Sequence, residues 1–228
     1  SPTLNKELNE DLSLINKKSI ILPLGEVNVT KKIKSILIIL RTNTEIEIWD
    51  QSKKRLFELP KIEYSLRSLK SLIKSIHFCK NKYPDIKIKT IIVDDKSSDN
   101  NLSKIKNVIN ESDLDISVIS LEHDKYKNVI KKQKKDQTFS NLASLLQSFE
   151  IAKEKCEDLV YFVEDDYLHF EPMIEEMVAS YERIASQVKK DIFMCPADYP
   201  YLYTNNEKTN ILIGNKRHWR TINKTLCT

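Results

Sequence analysis

Apolar residues follow two spacings along this chain. Short apolar runs recur at Ser35 to Leu40 (SILIIL), Ile86 to Val93, Ile116 to Leu121, Leu159 to Val163 and Ile192 to Cys195. Each has the length of a buried strand and is bounded by polar or turn residues. A shorter run, Ile211 to Ile213, reads as one more strand. Between the runs the spacing becomes helical. Pro60 opens a helix with Ile62, Leu66, Leu69, Ile73 and Ile76 on one stripe, running to about Lys80 before Pro84. Ser98 or Asp99 caps a second helix that turns Leu102, Ile105, Val108 and Ile109 inward. Thr138 to Cys156 carries Leu142, Leu145, Leu146, Phe149 and Ala152 on a stripe, and Pro172 opens a helix bearing Ile174, Met177, Val178, Tyr181, Ile184 and Val188.

Strand and helix therefore alternate, which predicts an α/β fold: a mainly parallel central sheet covered by helices on both faces, a Rossmann-like three-layer sandwich with right-handed crossovers. Residues 1–34 are polar apart from Ile20 to Leu24, with a basic run at Lys31, Lys32 and Lys34, and read as an N-terminal extension. Residues 35–228 then form one domain. Glu45 to Asp50 alternates acidic and apolar residues, as an edge strand or a loop. Six lysines between Lys125 and Lys135 read as a solvated face.

Composition narrows the function. With 37 basic and 33 acidic residues the formal charge of +4 is too balanced for a nucleic-acid binder, yet suits a small anionic substrate. No apolar run approaches the roughly 18 residues of a membrane span. No leader is legible, though a chain beginning Ser1-Pro2 reads as trimmed. Cys79, Cys156, Cys195 and Cys227 are widely spaced, as reduced thiols in a reducing compartment would be, and a cytoplasmic protein, free or peripheral to a membrane, is expected. Only Gly25 and Gly214 are present, which excludes the P-loop and the dinucleotide fingerprint.

The chemistry gathers where apolar runs end. LVYFV runs into Glu164, Asp165 and Asp166, and IIV runs into Asp94 and Asp95. Acids at the carboxyl ends of parallel strands sit where open α/β sheets bind ligands. Crowded carboxylates repel unless a cation or proton compensates them, and hard oxygen ligands suit Mg²⁺ or Mn²⁺. An acidic strand-to-helix turn explains the same letters without a ligand. Arg41, Thr42 and Asn43 close a third strand.

The order of these motifs, an apolar strand with a Thr/Asn turn, then VDDKSSD, then a helix beginning near Asn141, then FVEDDYL and a helix opened at Pro172, resembles the nucleotide-sugar-binding half of a GT-A glycosyltransferase of the family 2 kind, over about residues 35–195. The resemblance implies a nucleoside diphosphate sugar as donor, a saccharide or other hydroxyl acceptor, and Mn²⁺ or Mg²⁺ as cofactor. It assigns Asp95 to the nucleotide base, with Asp94, Arg41, Thr42 and Asn43 beside it. Glu164-Asp165-Asp166 matches the D-x-D region, with Asp166 the direct metal ligand, Glu164 a second, and Asp165 on ribose, metal or sugar. Two departures stand out: Lys96 replaces the usual glycine after the paired acids, and Glu164 follows Val163 where a clean first Asp belongs.

An inverting transferase needs a carboxylate to deprotonate the acceptor hydroxyl. Asp198, in Cys195-Pro196-Ala197-Asp198-Tyr199-Pro200, is the candidate, and a turn between prolines is its plain alternative. In the tail, His218 and Arg220 have the chemistry to bind a diphosphate. They equally suit a purely structural role. His77, His123 and His169 lack metal-ligand spacing and read as ordinary histidines. Two rival expectations are a catalytically weak binding or assembly domain of the same fold and a sugar-phosphate nucleotidyltransferase. The latter normally needs a glycine-rich loop that Arg41 to Thr44 does not supply.

Overall fold

The computed structural model describes residues 27–46, 56–130, 136–197 and 211–222. They belong to two compact units, Ile33–Glu171 on one side and Ser1–Lys32 with Pro172–Thr228 on the other.

The larger unit is an α/β fold, Rossmann-like, built on a four-stranded, all-parallel sheet flanked by helices. Its strands are β1 (Ser35–Thr42), β2 (Lys87–Asp94), β3 (Ile116–Ser120) and β4 (Leu159–Glu164), in spatial order β3-β2-β1-β4. β1 is central, and Ile38, Ile39 and Leu40 have no exposed surface. Its unbroken apolar run is explained by burial on both faces. The helices are α1 (Lys61–Lys82), α2 (Asp99–Asn110), α3 (His123–Tyr126) and α4 (Asp136–Lys155), preceded by a short 3-10 turn at Leu56–Glu58.

Topology decides which face each helix covers. Stepping from β1 to β2 to β3 in one direction, right-handed crossovers place α1 and α2 on the same face, where they pack on each other. The chain then crosses β2 and β1 to reach β4, so α4 lies on the opposite face. There Leu37, Ile39, Ile91 and Val93 meet Ala143 and Ile151 of α4 and Leu121, Tyr126 and Ile130. The strand order reverses between β1 and β4. Such a switch point leaves a crevice outside the strands' carboxyl ends.

Three sequence expectations change. α4 buries only part of the leucine stripe: Leu146 and Ala152 pack half-buried on the core, Leu142 and Phe149 are exposed, and Ala143, Ser144, Gln147, Ser148 and Ile151 are buried. Small side chains let the helix lie close to the sheet, and Ser148 returns its hydroxyl to the Ser144 carbonyl at 2.7 Å. Phe149 instead meets Phe162 edge-to-face, centroids 5.2 Å apart. The start of the lysine-rich stretch is not merely solvated, because Tyr126 and Ile130 anchor in the core. Ile192 to Cys195 is not a strand, and Phe193 is fully exposed. Ile20 to Leu24, residues 47–50, 131–135 and 198–210, and Cys227 lie outside the described residues. Among the described residues no helix is long and apolar enough to cross a membrane.

In the other unit, α5 (Met173–Val188) carries a small antiparallel ribbon of β5 (Ile211–Ile213) and β6 (His218–Arg220). The link is Glu176, buried on α5. Its carboxylate accepts from Ser180 Oγ (2.9 Å), the Asn215 N–H (3.0 Å), the Lys216 N–H (2.5 Å) and Trp219 Nε1 (3.1 Å). Neighbouring Glu175 accepts from Asn215 Nδ2 at 2.7 Å and pairs with Lys216 at 2.8 Å. Gly214 fits here because a Cβ would collide with Glu176 Oε1, the Arg217 carbonyl oxygen and Ser180 Oγ. Nearby, Ser186 Oγ accepts the N–H groups of Thr30 and Lys31, both at 3.0 Å.

Candidate functional site

Register brings the sequence-predicted residues to one edge of the larger unit's sheet. Thr42 lies opposite Asp94, and Arg41 opposite Glu164, at the carboxyl ends of β1, β2 and β4. Two hydrogen-bonded networks occupy this edge.

The first lies over β1, β2 and β3. Asp94 is buried and committed to the turn: it accepts from Thr42 Oγ1 (2.8 Å), Ser97 Oγ (2.6 Å) and the Ser97 N–H (3.0 Å). Between them Lys96 has φ 59°, the left-handed conformation for which glycine is the default residue. The glycine-type turn is thus kept although the glycine is absent. Asp95 is also buried, and its N–H donates to the Thr42 carbonyl at 2.8 Å. Its Oδ2 accepts from Asn43 Nδ2 at 3.0 Å, and Oδ1 lies 2.6 Å from His123 Nε2. The His123 ring stacks on Phe139, centroids 6.1 Å apart. Glu45 supplies the α2 cap in place of the expected Ser98 or Asp99 side chain, accepting from the Ser98 N–H (3.0 Å) and Asn101 Nδ2 (2.9 Å). The Ser98 N–H bond is the main reason its carboxyl sits below the ordinary range.

The second network lies at the switch point. Arg41 of β1 donates to Asn141 Oδ1 (2.7 Å) and Ser144 Oγ (3.1 Å) of α4 and forms an ion pair with Glu164. Burial pushes the Glu164 carboxyl up from its ordinary value, the charge of Arg41 opposes that shift, Asp166 and Asp165 add to it, and Lys61 opposes it. Asp165 is buried between Lys61 Nζ (2.7 Å) and Ser65 Oγ (2.5 Å), both from the first turns of α1. Asp166 is exposed, and none of these bonds involves it. The loop that follows is pinned by His169, whose N–H donates to Ser71 Oγ at 3.0 Å and whose Nε2 lies 3.0 Å from the Tyr161 hydroxyl. Burial lowers the His169 pKa to about 4, so the ring is neutral at pH 7.

The structure therefore brings together Arg41, Thr42, Asn43, Asp94, Asp95, Glu164, Asp165 and Asp166. His218 and Arg220 stand on β6 in the other unit, the first exposed and the second half-buried. Asp198 lies outside the described residues. Sequence reasoning missed His123, Lys61 and Ser65. His123 had a usable signal, its place just beyond the end of a third parallel strand. Lys61 and Ser65 had none, being a hundred or more positions from Asp165.

Among the described residues no group of three or more His, Cys, Asp or Glu side chains is arranged to hold a metal ion. Mg²⁺ and Mn²⁺ in phosphate-handling sites do not require such a cage, since one or two carboxylates, waters and substrate phosphates complete their shell. The exposed Asp166 fits that requirement. Compared with protein-family models and with curated proteins, the chain matches none.

Proposed function

We propose that this chain is a metal-dependent glycosyltransferase with a GT-A-like fold, moving a sugar from a nucleoside diphosphate sugar to a hydroxyl acceptor on a glycan, lipid or protein. The observation that carries the reading is the convergence of Asn43, Asp95 and the Glu164-Asp165-Asp166 run on one edge of a parallel sheet with order 3-2-1-4. Asp95, oriented by His123 and Asn43, accepts a hydrogen bond from a base N–H. Asp166 would hold the divalent cation, which would supply positive charge beside the diphosphate leaving group. Asp165 is fixed by Lys61 and Ser65, which keeps the neighbouring Asp166 in place.

Thermal unfolding against UDP, GDP, CDP, dTDP and their sugars, each with Mn²⁺, Mg²⁺ or EDTA, tests this. A nucleotide at about a hundred times its dissociation constant stabilises the folded state by about 2.7 kcal/mol. Stabilisation by one nucleotide, only with metal, lost in Asp95→Ala and Asp166→Ala, is the expected result; no shift under any condition rejects the reading. A binding or assembly domain that has lost its chemistry is the second reading, favoured by the capture of Glu164 and Asp165 in ion pairs. Donor hydrolysis or sugar transfer abolished by Asp166→Ala would exclude it.

A further inference from the structure

Three acids follow one another at the switch point, yet only one faces water without a partner from this network. Glu164 is paired with Arg41, from the neighbouring strand, and Asp165 with Lys61, from the first turn of α1. Both cations are largely enclosed, each side chain about 12% exposed, so these are not the loose pairs of a protein surface. Ser65 and Asn141 hold the arrangement from either side.

We infer that Arg41 and Lys61 are built-in counter-cations that keep Glu164 and Asp165 out of metal coordination, so that the site takes up a divalent cation only together with a diphosphate, through Asp166. The inference rests on the donor-site reading above. A cation approaching the empty protein meets one available carboxylate and two already neutralised. To recruit either of those it must displace an ammonium or a guanidinium that is positioned and desolvated. One carboxylate leaves most of the metal's shell to water, which is weak binding. Two phosphate oxygens from a diphosphate supply the missing ligands. Lys61 is thus a positioning residue for the metal, although it touches neither metal nor nucleotide.

The test is a titration of the full chain with MnCl₂ alone, with free Mn²⁺ read by electron paramagnetic resonance. The wild-type protein is expected to show no saturation below about 1 mM. Lys61→Gln, which releases Asp165, is expected to bind Mn²⁺ at least about tenfold more tightly, and Asp165→Asn in that background is expected to remove the gain. A structural role for Lys61 would lower stability without creating a binding site. Tight binding of Mn²⁺ by the wild-type protein, or a folded Lys61→Gln variant with no gain, overturns the inference. Should Lys61→Gln fail to fold, Arg41→Gln, which releases Glu164, is read by the same criteria. No nucleotide enters these measurements. A negative nucleotide screen beside a positive Lys61→Gln result would reject the donor-site reading and with it the diphosphate requirement, leaving only the counter-cations, and the reverse pattern would reject only the counter-cations.

Discussion

Asp94-Asp95 and Asp165-Asp166 look alike as sequence, two acids following an apolar strand, but they are built for different ends. In each pair the first acid is buried and held. Asp94 is held by neutral donors, Thr42 and Ser97. Asp165 is held by a charged one, Lys61, with Ser65. The second acids diverge: Asp95 is enclosed between Asn43 and His123, whereas Asp166 stands in solvent. The first acid is tied down, Asp94 within its own turn and Asp165 to α1, and the second is presented beside it. A buried, oriented carboxylate suits a specific N–H partner, and an exposed one suits an ion that arrives with its own ligands.

The comparison is broken most strongly at Lys61. Lys61→Met leaves Asp165 as a buried charge with one neutral donor, and a loss of about 3–5 kcal/mol is expected in urea unfolding at pH 7. Adding Asp165→Asn should recover most of it, since the stranded charge is removed.

His169 comes next, holding the loop after the second pair. Its folded pKa of about 4 lies below the ordinary 6.5, so the folded state resists the proton that the unfolded state takes. Its contribution to stability is complete above pH 6.5 and is lost as pH falls from 6.5 to about 4. The loss is about 3 kcal/mol. Urea unfolding of wild type and His169→Gln across this window should show the wild type falling more steeply; parallel curves would contradict the buried neutral ring.

Asp94→Ala removes the acceptor of three hydrogen bonds from Thr42 and Ser97 and should cost about 2 kcal/mol, with Lys96 losing its left-handed turn. Asp166→Asn should change stability by less than about 0.5 kcal/mol while abolishing metal-dependent nucleotide binding. A large stability loss at Asp166 would mean that the two pairs are more alike than their exposure indicates.

How much of this was legible follows from how local each cause is. β1, β2 and α1 could be read because unbroken apolar runs and a four-three spacing are properties of neighbouring residues. The paired acids at strand ends could be read for the same reason. The face of α4 could not, because Ala143, Ser144 and Ser148 are buried for their size, and apolar character points to Leu142 and Phe149 instead. Ile192 to Cys195 has the letters of a strand, yet among the described residues no strand pairs with it. Lys96 shows the limit of turn chemistry, since three bonds from neighbours to Asp94 hold a conformation that its own side chain disfavours. His123 reaches Asp95 only because β3 pairs with β2 in the register Asp94 to Ser120.

The buried carboxylate of Glu176 has a kinetic consequence for the ribbon it supports. Asn215 and Lys216 are exposed residues, yet their amide hydrogens point at that carboxylate. In deuterated water these two amides should exchange as slowly as those of α5 itself, because releasing either hydrogen requires the ribbon to lift from the helix.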